Sequence, residues 1–281
     1  MMENVTRALF IAAACVCVIC VALICLFLFA NGIPTIARIG AADFLLGTRW
    51  KPVQEIFGIL PMIVGSVYVT AGAALFGVPL GILTAVFMAR FCGKRLYKVM
   101  NPAISLMAGV PSVVYGFFGL TVIAPALGSL YGGTGKCMLT ASLLLAFMVL
   151  PTIVGVSEAA IRAVPDSYYE GALALGATHE RAVFRSVLPA AKSGIMAGVV
   201  LGIGRAVGET MAVVMVAGNQ PVMPGSPLAG LRTLTANIVM EMGYAADLHR
   251  EALIATGVVL FVFILMINGL LGLTKRSGEK C

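Results

Sequence analysis

SEAAIRAVPDSYYEGALALGATHERAVFRSVLPAAKSG, residues 157–194, lies between two long apolar runs and is itself neither apolar nor simply polar. Pro165, Asp166 and Ser167 mark a helix start, with Glu170 in the first turn. Ala172, Leu173 and Leu175 give that helix an apolar surface, and Gly176 interrupts it. Val183, Phe184, Val187 and Leu188 resume at helical spacing, and Pro189 closes the segment. The spacing therefore predicts two short amphipathic helices joined at a glycine and lying at a membrane surface. A solvated connector would not need so long an apolar face, whereas a helix laid into a groove of a soluble partner would.

The sequence on either side supports a membrane setting. Of 281 residues, 60% are hydrophobic and 11% charged, with a mean hydropathy of +1.03. A soluble domain of this size could not cover that much apolar surface. A helix needs about 20 apolar residues to cross the hydrocarbon core. Six runs meet this, at roughly 8–30, 61–89, 103–127, 138–157, 193–217 and 252–273. They are continuous rather than alternating, which excludes a transmembrane barrel. The expected fold is all-α and polytopic. The first run is longer than a signal-peptide core and is read as a retained helix. Twelve of the 19 basic residues fall on the side of the two termini and six on the other, with Arg205 inside the fifth run. The positive-inside rule then places both termini in the cytoplasm of a multi-pass cell-membrane protein. The net charge of +7 reflects this loop asymmetry and does not indicate a nucleic-acid partner.

Catalytic and metal chemistry find no foothold. His179, His249, Asp43, Asp166 and Asp247 all fall in predicted loops. THER at 178–181 is not HExxH, and GxSxG is absent. YGGTGKC at 131–137 fails the phosphate-loop spacing, because the first glycine would fall on Leu130, and Cys137 replaces the magnesium-binding hydroxyl. It is read as an exterior turn. Cys15, Cys17, Cys20 and Cys25 lie inside the first run, where cysteine serves as a small packing residue. No catalytic residue, metal or cofactor is expected in this chain, so any work it does draws energy from a partner or from an ion gradient.

Two stretches stand out inside the membrane. AGVPSVVYGFFG, 108–119, is denser in glycine and proline than bundle packing requires and predicts an interrupted helix lining a path, with Pro111, Ser112 and Tyr115 as candidate pore-lining residues. GRAVGETMAVVMVAGN, 204–219, carries two full charges, Arg205 and Glu209, four residues apart. An ionisable group at membrane depth costs at least about 2.5–3.5 kcal/mol. In a continuous helix residues i and i+4 share a face, so Arg205 and Glu209 are expected to pair and face the bundle interior.

EGALALG followed by Leu188-Pro189 resembles the EAA loop of ABC importer permeases: Glu170, Gly176, Leu188 and Pro189 match, with Gly171 in place of the usual alanine before Ala172 and Ser186 in place of an aliphatic residue. FGILPMIVGSVYVTAGAALFGVPLGILTAVFM, AGVPSVVYGFFGL and GRAVGETMAVVMVAGN further resemble the phosphate-specific permeases, and within them the PstC family rather than its PstA sister, which usually continues GET with Ala-Pro. The resemblance runs from about Phe57 to the last run. It implies a type I ABC importer (MetI-like) fold: an N-terminal helix and exterior loop over 1–56, a permease domain over 57–273 with its coupling loop at 158–192, and a cytoplasmic tail at 274–281. It implies a homologous PstA-like permease subunit, two ATP-binding subunits that carry ATP and magnesium, and an extracytoplasmic phosphate-binding protein as partners. Glu170, Gly171, Ala172, Gly176, Leu188 and Pro189 would contact the ATPase. Arg205, Glu209 and Thr210 would lie on the substrate path, Arg205 offering a planar fork of donors to phosphate oxygens. A sulfate or molybdate permease would share the loop but not the full GRAVGETMAV context. An ion-driven carrier would lack the loop, and a scaffold or sensor would not need intramembrane charges.

Overall fold

The computed structural model describes residues 2–278. In chain order the elements are α1 Met2–Ile39, α2 Ala41–Leu46, the two-residue strands β1 Trp50–Lys51 and β2 Ile56–Phe57, α3 Leu60–Val86, α4 Lys94–Gly109, α5 Ser112–Phe118, α6 Ala124–Tyr131, α7 Met138–Arg162, α8 Asp166–Ala174, α9 His179–Ala182, α10 Leu188–Ala190, α11 Lys192–Gly208, α12 Met211–Val216, α13 Leu234–Glu241 and α14 Asp247–Gly278. Three π turns, Phe87–Phe91, Gly119–Ile123 and Val183–Val187, follow α3, α5 and α9 without a break. The final residues of the expected tail, 279–281, lie outside the described residues.

Helix dominates because a bilayer leaves no solvent for unpaired backbone groups, and continuous helices satisfy them internally. Five helical stretches are each long and apolar enough to cross: Leu9–Ile39, Leu60–Phe91, Ser112–Tyr131, Met138–Arg162 and Asp247–Gly269. Lys192–Gly208 turns by 70° from His179–Ala190, and the count rises to six if that bent pair is one span.

Most span ends differ from the sequence expectation, and two spans are broken. Pro111 lacks an N–H and forces Val110 out of the helical region (ψ 127). The third run therefore begins at Lys94, stops at Gly109 and restarts at Ser112. The fifth run does not continue to 217. It ends at Gly208, Glu209 is extended (ψ 130), and α12 restarts after Thr210. Gly204 and Gly208 weaken helix propagation there, and the Glu209 carboxylate accepts the Ala212 N–H at 3.3 Å, satisfying a free donor of the new helix.

The core is built on α3 against α7. A Cβ on Gly77 would lie 2.9 Å from Val149 Cγ2, and one on Gly81 would lie 2.7 Å from Ile153 Cγ2, so these glycines let the two helices approach closely. Around this pair, Val69, Leu144, Leu145, Met148, Val199, Ala212 and Val216 form the central buried cluster. A second cluster, with Val86, Met88, Ile161, Val183 and Val187, sits at the end that carries the 157–194 loop. A third, with Phe44, Trp50, Phe57, Met62, Leu234 and Leu253, sits at the opposite end. α1 packs through its second half, with Phe29 edge-on to Phe261 at 5.8 Å and Gly32 against Val258. Its described residues from Leu9 to Ile24 are exposed, including Cys15, Cys17 and Cys20.

At the third cluster Glu241 organises a buried polar group. One carboxylate oxygen pairs with Arg232, and the other accepts from Trp50 Nε1 at 2.7 Å and meets His249 Nε2 at 2.8 Å. Arg232 also donates to the Asn237 side chain and, through Nε, to the Asn219 carbonyl, each at 3.0 Å. Trp50 and Phe57 stand edge-to-face at 5.5 Å.

Candidate functional site: two broken helices and a coupling loop

The two interrupted helices meet. A Cβ on Gly116 of α5 would fall 3.0 Å from Ala212 Cα, so α5 rests directly on α12. Tyr115 donates its hydroxyl to the Met107 carbonyl at 2.9 Å, bridging the break at Val110–Pro111 from one side to the other. Pro111 is exposed, and Ser112 and Tyr115 are half-buried. Two glycines of AGVPSVVYGFFG serve close packing: Gly116 lies against Met215, and Gly119 against Leu144 and Val216.

Arg205 lies on the last turn of α11, half-buried, with Nη1 donating to Thr152 Oγ1 of α7 at 3.4 Å. Among the described residues no ion pair joins it to Glu209, so the expected i,i+4 pairing is not present. The reason is the break itself: once Glu209 leaves the helical region, the two side chains no longer share a face. Glu209 instead turns to the Ala212 N–H, and its backbone carbonyl accepts from Thr235 Oγ1 at 3.2 Å. A cavity of about 10 Å³, room for a single water, is lined there by Ser66, Thr70, Glu209, Thr233 and Thr235 among others. Thr210 Oγ1 donates to the Gly208 carbonyl at 3.2 Å. The structure thus brings Arg205, Thr210 and Tyr115 to the region of the two breaks and separates Arg205 from Glu209. Thr152 escaped the sequence reading because a lone threonine in an apolar helix carries no signal until its partner is known.

The loop after α7 takes the two-helix form that its spacing predicts. α8 ends where Gly176 adopts φ +84, and the Ala177 N–H closes on the Ala172 carbonyl at 3.1 Å, a left-handed helix stop that favours glycine. Thr178 caps α9 by accepting the Arg181 N–H. The same hydroxyl, after the backbone N–H of Glu180 itself, holds the Glu180 carboxyl below its ordinary range. The expected single apolar face divides in two. Val183 and Val187 are buried in the second core cluster, whereas Leu173, Leu175 and Phe184 point outward, Leu175 at 91% exposure. Glu170, Gly171, Gly176 and Pro189 are exposed, and Ala172 and Leu188 are half-buried.

The loop is tied to the bundle by polar contacts. Arg90, in the π turn after α3, reaches Asp166 of α8 at 3.4 Å and the Ile161 carbonyl at 3.3 Å. Tyr169 Oη hydrogen-bonds His179 Nδ1 at 2.7 Å, and the Phe91 and His179 rings meet edge-on at 4.7 Å. Among the described residues, no cluster of His, Cys, Asp or Glu is arranged to hold a metal ion.

Comparisons with known proteins agree with this anatomy. The family described as binding-protein-dependent transport system inner membrane component matches residues 77–277. The chain is 39% identical to a probable ABC transporter permease protein, YqgH, of Bacillus subtilis, over 93% of this chain and 88% of that one. It is 36% identical to the phosphate transport system permease protein PstC of Mesorhizobium japonicum, over 91% and 84%. Among solved structures, a bacterial alginate ABC transporter in complex with an alginate-pentasaccharide-bound periplasmic protein aligns with TM-score 0.68 at 17% identity, covering 100% of this chain and 98% of that one. The MetNI methionine ABC transporter aligns with TM-score 0.61 at 18% identity, covering 76% and 93%. A coupling-type loop hung on a bundle with broken helices, together with these likenesses, places the chain in the binding-protein-dependent transport system inner membrane component family, as a non-catalytic, membrane-embedded permease subunit of an ABC importer.

Proposed function

We propose that the chain is the PstC-type subunit of an ATP-driven phosphate importer. The observation that carries the reading is a half-buried arginine, Arg205, at the end of α11, beside a helix break, donating to the neutral Thr152 hydroxyl and without a carboxylate partner among the described residues. A guanidinium without a carboxylate partner has no local counter-charge and offers a planar fork of donors to phosphate oxygens. Relatives named as phosphate permeases support phosphate as that anion.

In this reading the homologous PstA-like subunit closes the other half of the path. Two ATP-binding subunits receive α8 and its counterpart, contacting Glu170, Gly171, Ala172, Gly176, Leu188 and Pro189. An extracytoplasmic phosphate-binding protein docks at the end carrying Trp50, and both termini lie in the cytoplasm. ATP binding closes the ATPase pair and moves the coupling helices. The contacts of Arg90 with α8 and of Phe91 with His179 pass that motion to α3, and the bundle switches between outward and inward access. In this reading Glu209 and Thr210 line the path at the break after α11, and Pro111, Ser112 and Tyr115 line it at the Val110–Pro111 break.

The test is labelled phosphate uptake by phosphate-starved cells supplied with all subunits, comparing wild type with Arg205→Gln under excess unlabelled sulfate. The expected outcome is wild-type uptake that resists sulfate and is lost in the variant while the complex still assembles. Uptake that survives in Arg205→Gln would remove Arg205 from the path, and uptake that sulfate abolishes would assign the permease to another oxyanion.

A further inference from the structure

α4 has an uncommitted polar face. Lys94, Lys98, Asn101 and Ser105 recur at intervals of four, three and four residues, so they share one side of the helix. All four are exposed in this chain, and among the described residues neither lysine has an ion-pair partner. Another side of α4, carrying Met100, Ile104 and Met107, is turned inward onto a 200 Å³ apolar cavity shared with Thr84, Leu150, Pro151 and Val154. The remaining exposed side carries Arg95 at its start and is otherwise aliphatic, with Leu96, Val99 and Leu106.

The depth of this polar face is fixed at both ends. Tyr97 lies against the end of α7, its ring 4.6 Å from the Arg162 guanidinium carbon. Met107 lies beside Leu150 and Pro151, next to Thr152, which holds Arg205. α4 therefore runs antiparallel to α7, from the edge carrying the coupling loop up to the level of Arg205, and Asn101 and Ser105 lie between. At that depth exposed polar side chains persist where they face water or protein rather than lipid.

The geometry points to the Lys94–Lys98–Asn101–Ser105 face as the cytoplasmic exit of the anion path. It rests on the anion-permease reading above. The face offers two ammoniums, amide donors and a hydroxyl, and no acid, so its chemistry suits an anion leaving Arg205 for the cytosol. Ser105 Oγ already donates to the Asn101 carbonyl at 2.9 Å, which directs its lone pairs outward and leaves donation to the anion to the Asn101 amide and the lysines.

The test is thiol labelling of single variants Asn101→Cys, Ser105→Cys, Val99→Cys and Leu106→Cys, in the complete complex in inside-out vesicles. Water-soluble methanethiosulfonates of either charge are applied, and the modified position is read by peptide mass, with the native cysteines as internal references. Positions 101 and 105 should react and 99 and 106 should not. At position 105 the anionic reagent should outrun the cationic one. With Lys98 about 10 Å away along the helix, Lys98→Gln should change each reagent's rate about twofold in opposite directions, lowering that rate ratio by about fourfold at low ionic strength. Protection of 101 and 105 equal to that of 99 and 106, or a rate ratio indifferent to Lys98→Gln, would overturn the assignment. If the labelling pattern holds but the wild-type complex carries no phosphate, the substrate reading fails and the exit face survives.

Discussion

Glu241 lends itself to a quantitative test because its surroundings are closed and its reporter is built in. Its side chain is 7% exposed and that of Arg232 11%. Removing one partner of a buried pair and leaving the other typically costs about 3–5 kcal/mol. In Glu241→Gln an amide oxygen still accepts from Trp50, and Arg232 keeps the Asn219 carbonyl and the Asn237 side chain, so the lower end applies, about 3 kcal/mol. That is on the order of a hundredfold in the folded-to-unfolded ratio. Arg232→Met should cost a similar amount, and the double variant far less than the sum of the two, with a coupling of at least about 2 kcal/mol. The assay is unfolding of the purified chain in mixed micelles, followed by the emission of Trp50, the only tryptophan in the sequence. A Glu241→Gln midpoint indistinguishable from wild type, or single costs that simply add in the double variant, would refute the reasoning.

Gly176→Leu places a side chain at φ +84 with nothing within 4 Å of its Cβ, so the strain is confined to the backbone, about 1–2 kcal/mol. The bundle should fold, and co-purification of the ATPase should weaken. Glu170→Arg, at an exposed position, should weaken ATPase binding without changing thermal stability. Gly81→Leu should prevent assembly by driving α3 off Ile153, and Ile153→Ala in the same chain should restore part of it, as read by size-exclusion yield. Because the Glu180 carboxyl is held low in the fold, it favours the folded loop above its unfolded value, and that contribution is lost as pH falls through the folded value. Thr178→Ala should therefore make proteolysis of the 175–190 segment less sensitive to acid than in wild type.

The helical class, the number of spans and the two-helix loop were legible because each rests on a long-range pattern: runs without charge, periodic apolar residues, and a glycine where one helix must stop. The break at Val110–Pro111 was legible for a local reason, proline chemistry. The break at Glu209–Thr210 was not, since Gly-Glu-Thr within an apolar run reads equally as helix. The restart depends on the Ala212 N–H being met by Glu209 and on Thr235, 26 residues further on, holding the Glu209 carbonyl. The Arg205–Glu209 pairing failed with it. The Glu241 group was invisible for a similar reason: Trp50, Arg232, Glu241 and His249 are scattered over 200 positions and only tertiary packing gathers them. Outward and inward residues of the coupling loop share one periodicity, so sequence could not divide Leu173, Leu175 and Phe184 from Val183 and Val187.

The three π turns bear on how this chain can change. A π turn holds one residue more than the α-helix it interrupts, so it is the footprint of a single-residue insertion. Removing one residue from Phe87–Phe91, Gly119–Ile123 or Val183–Val187 can be absorbed by relaxation to α geometry, whereas the same deletion in α3 or α7 would rotate every residue beyond it by about 100°. Each turn also lies at a structural junction: where Arg90 anchors the 157–194 loop, in the span that follows the Val110–Pro111 break, and inside the loop itself. Length variation among related chains is therefore expected to collect at these three places, where a residue can come or go while the glycine seams between α3 and α7 keep their register.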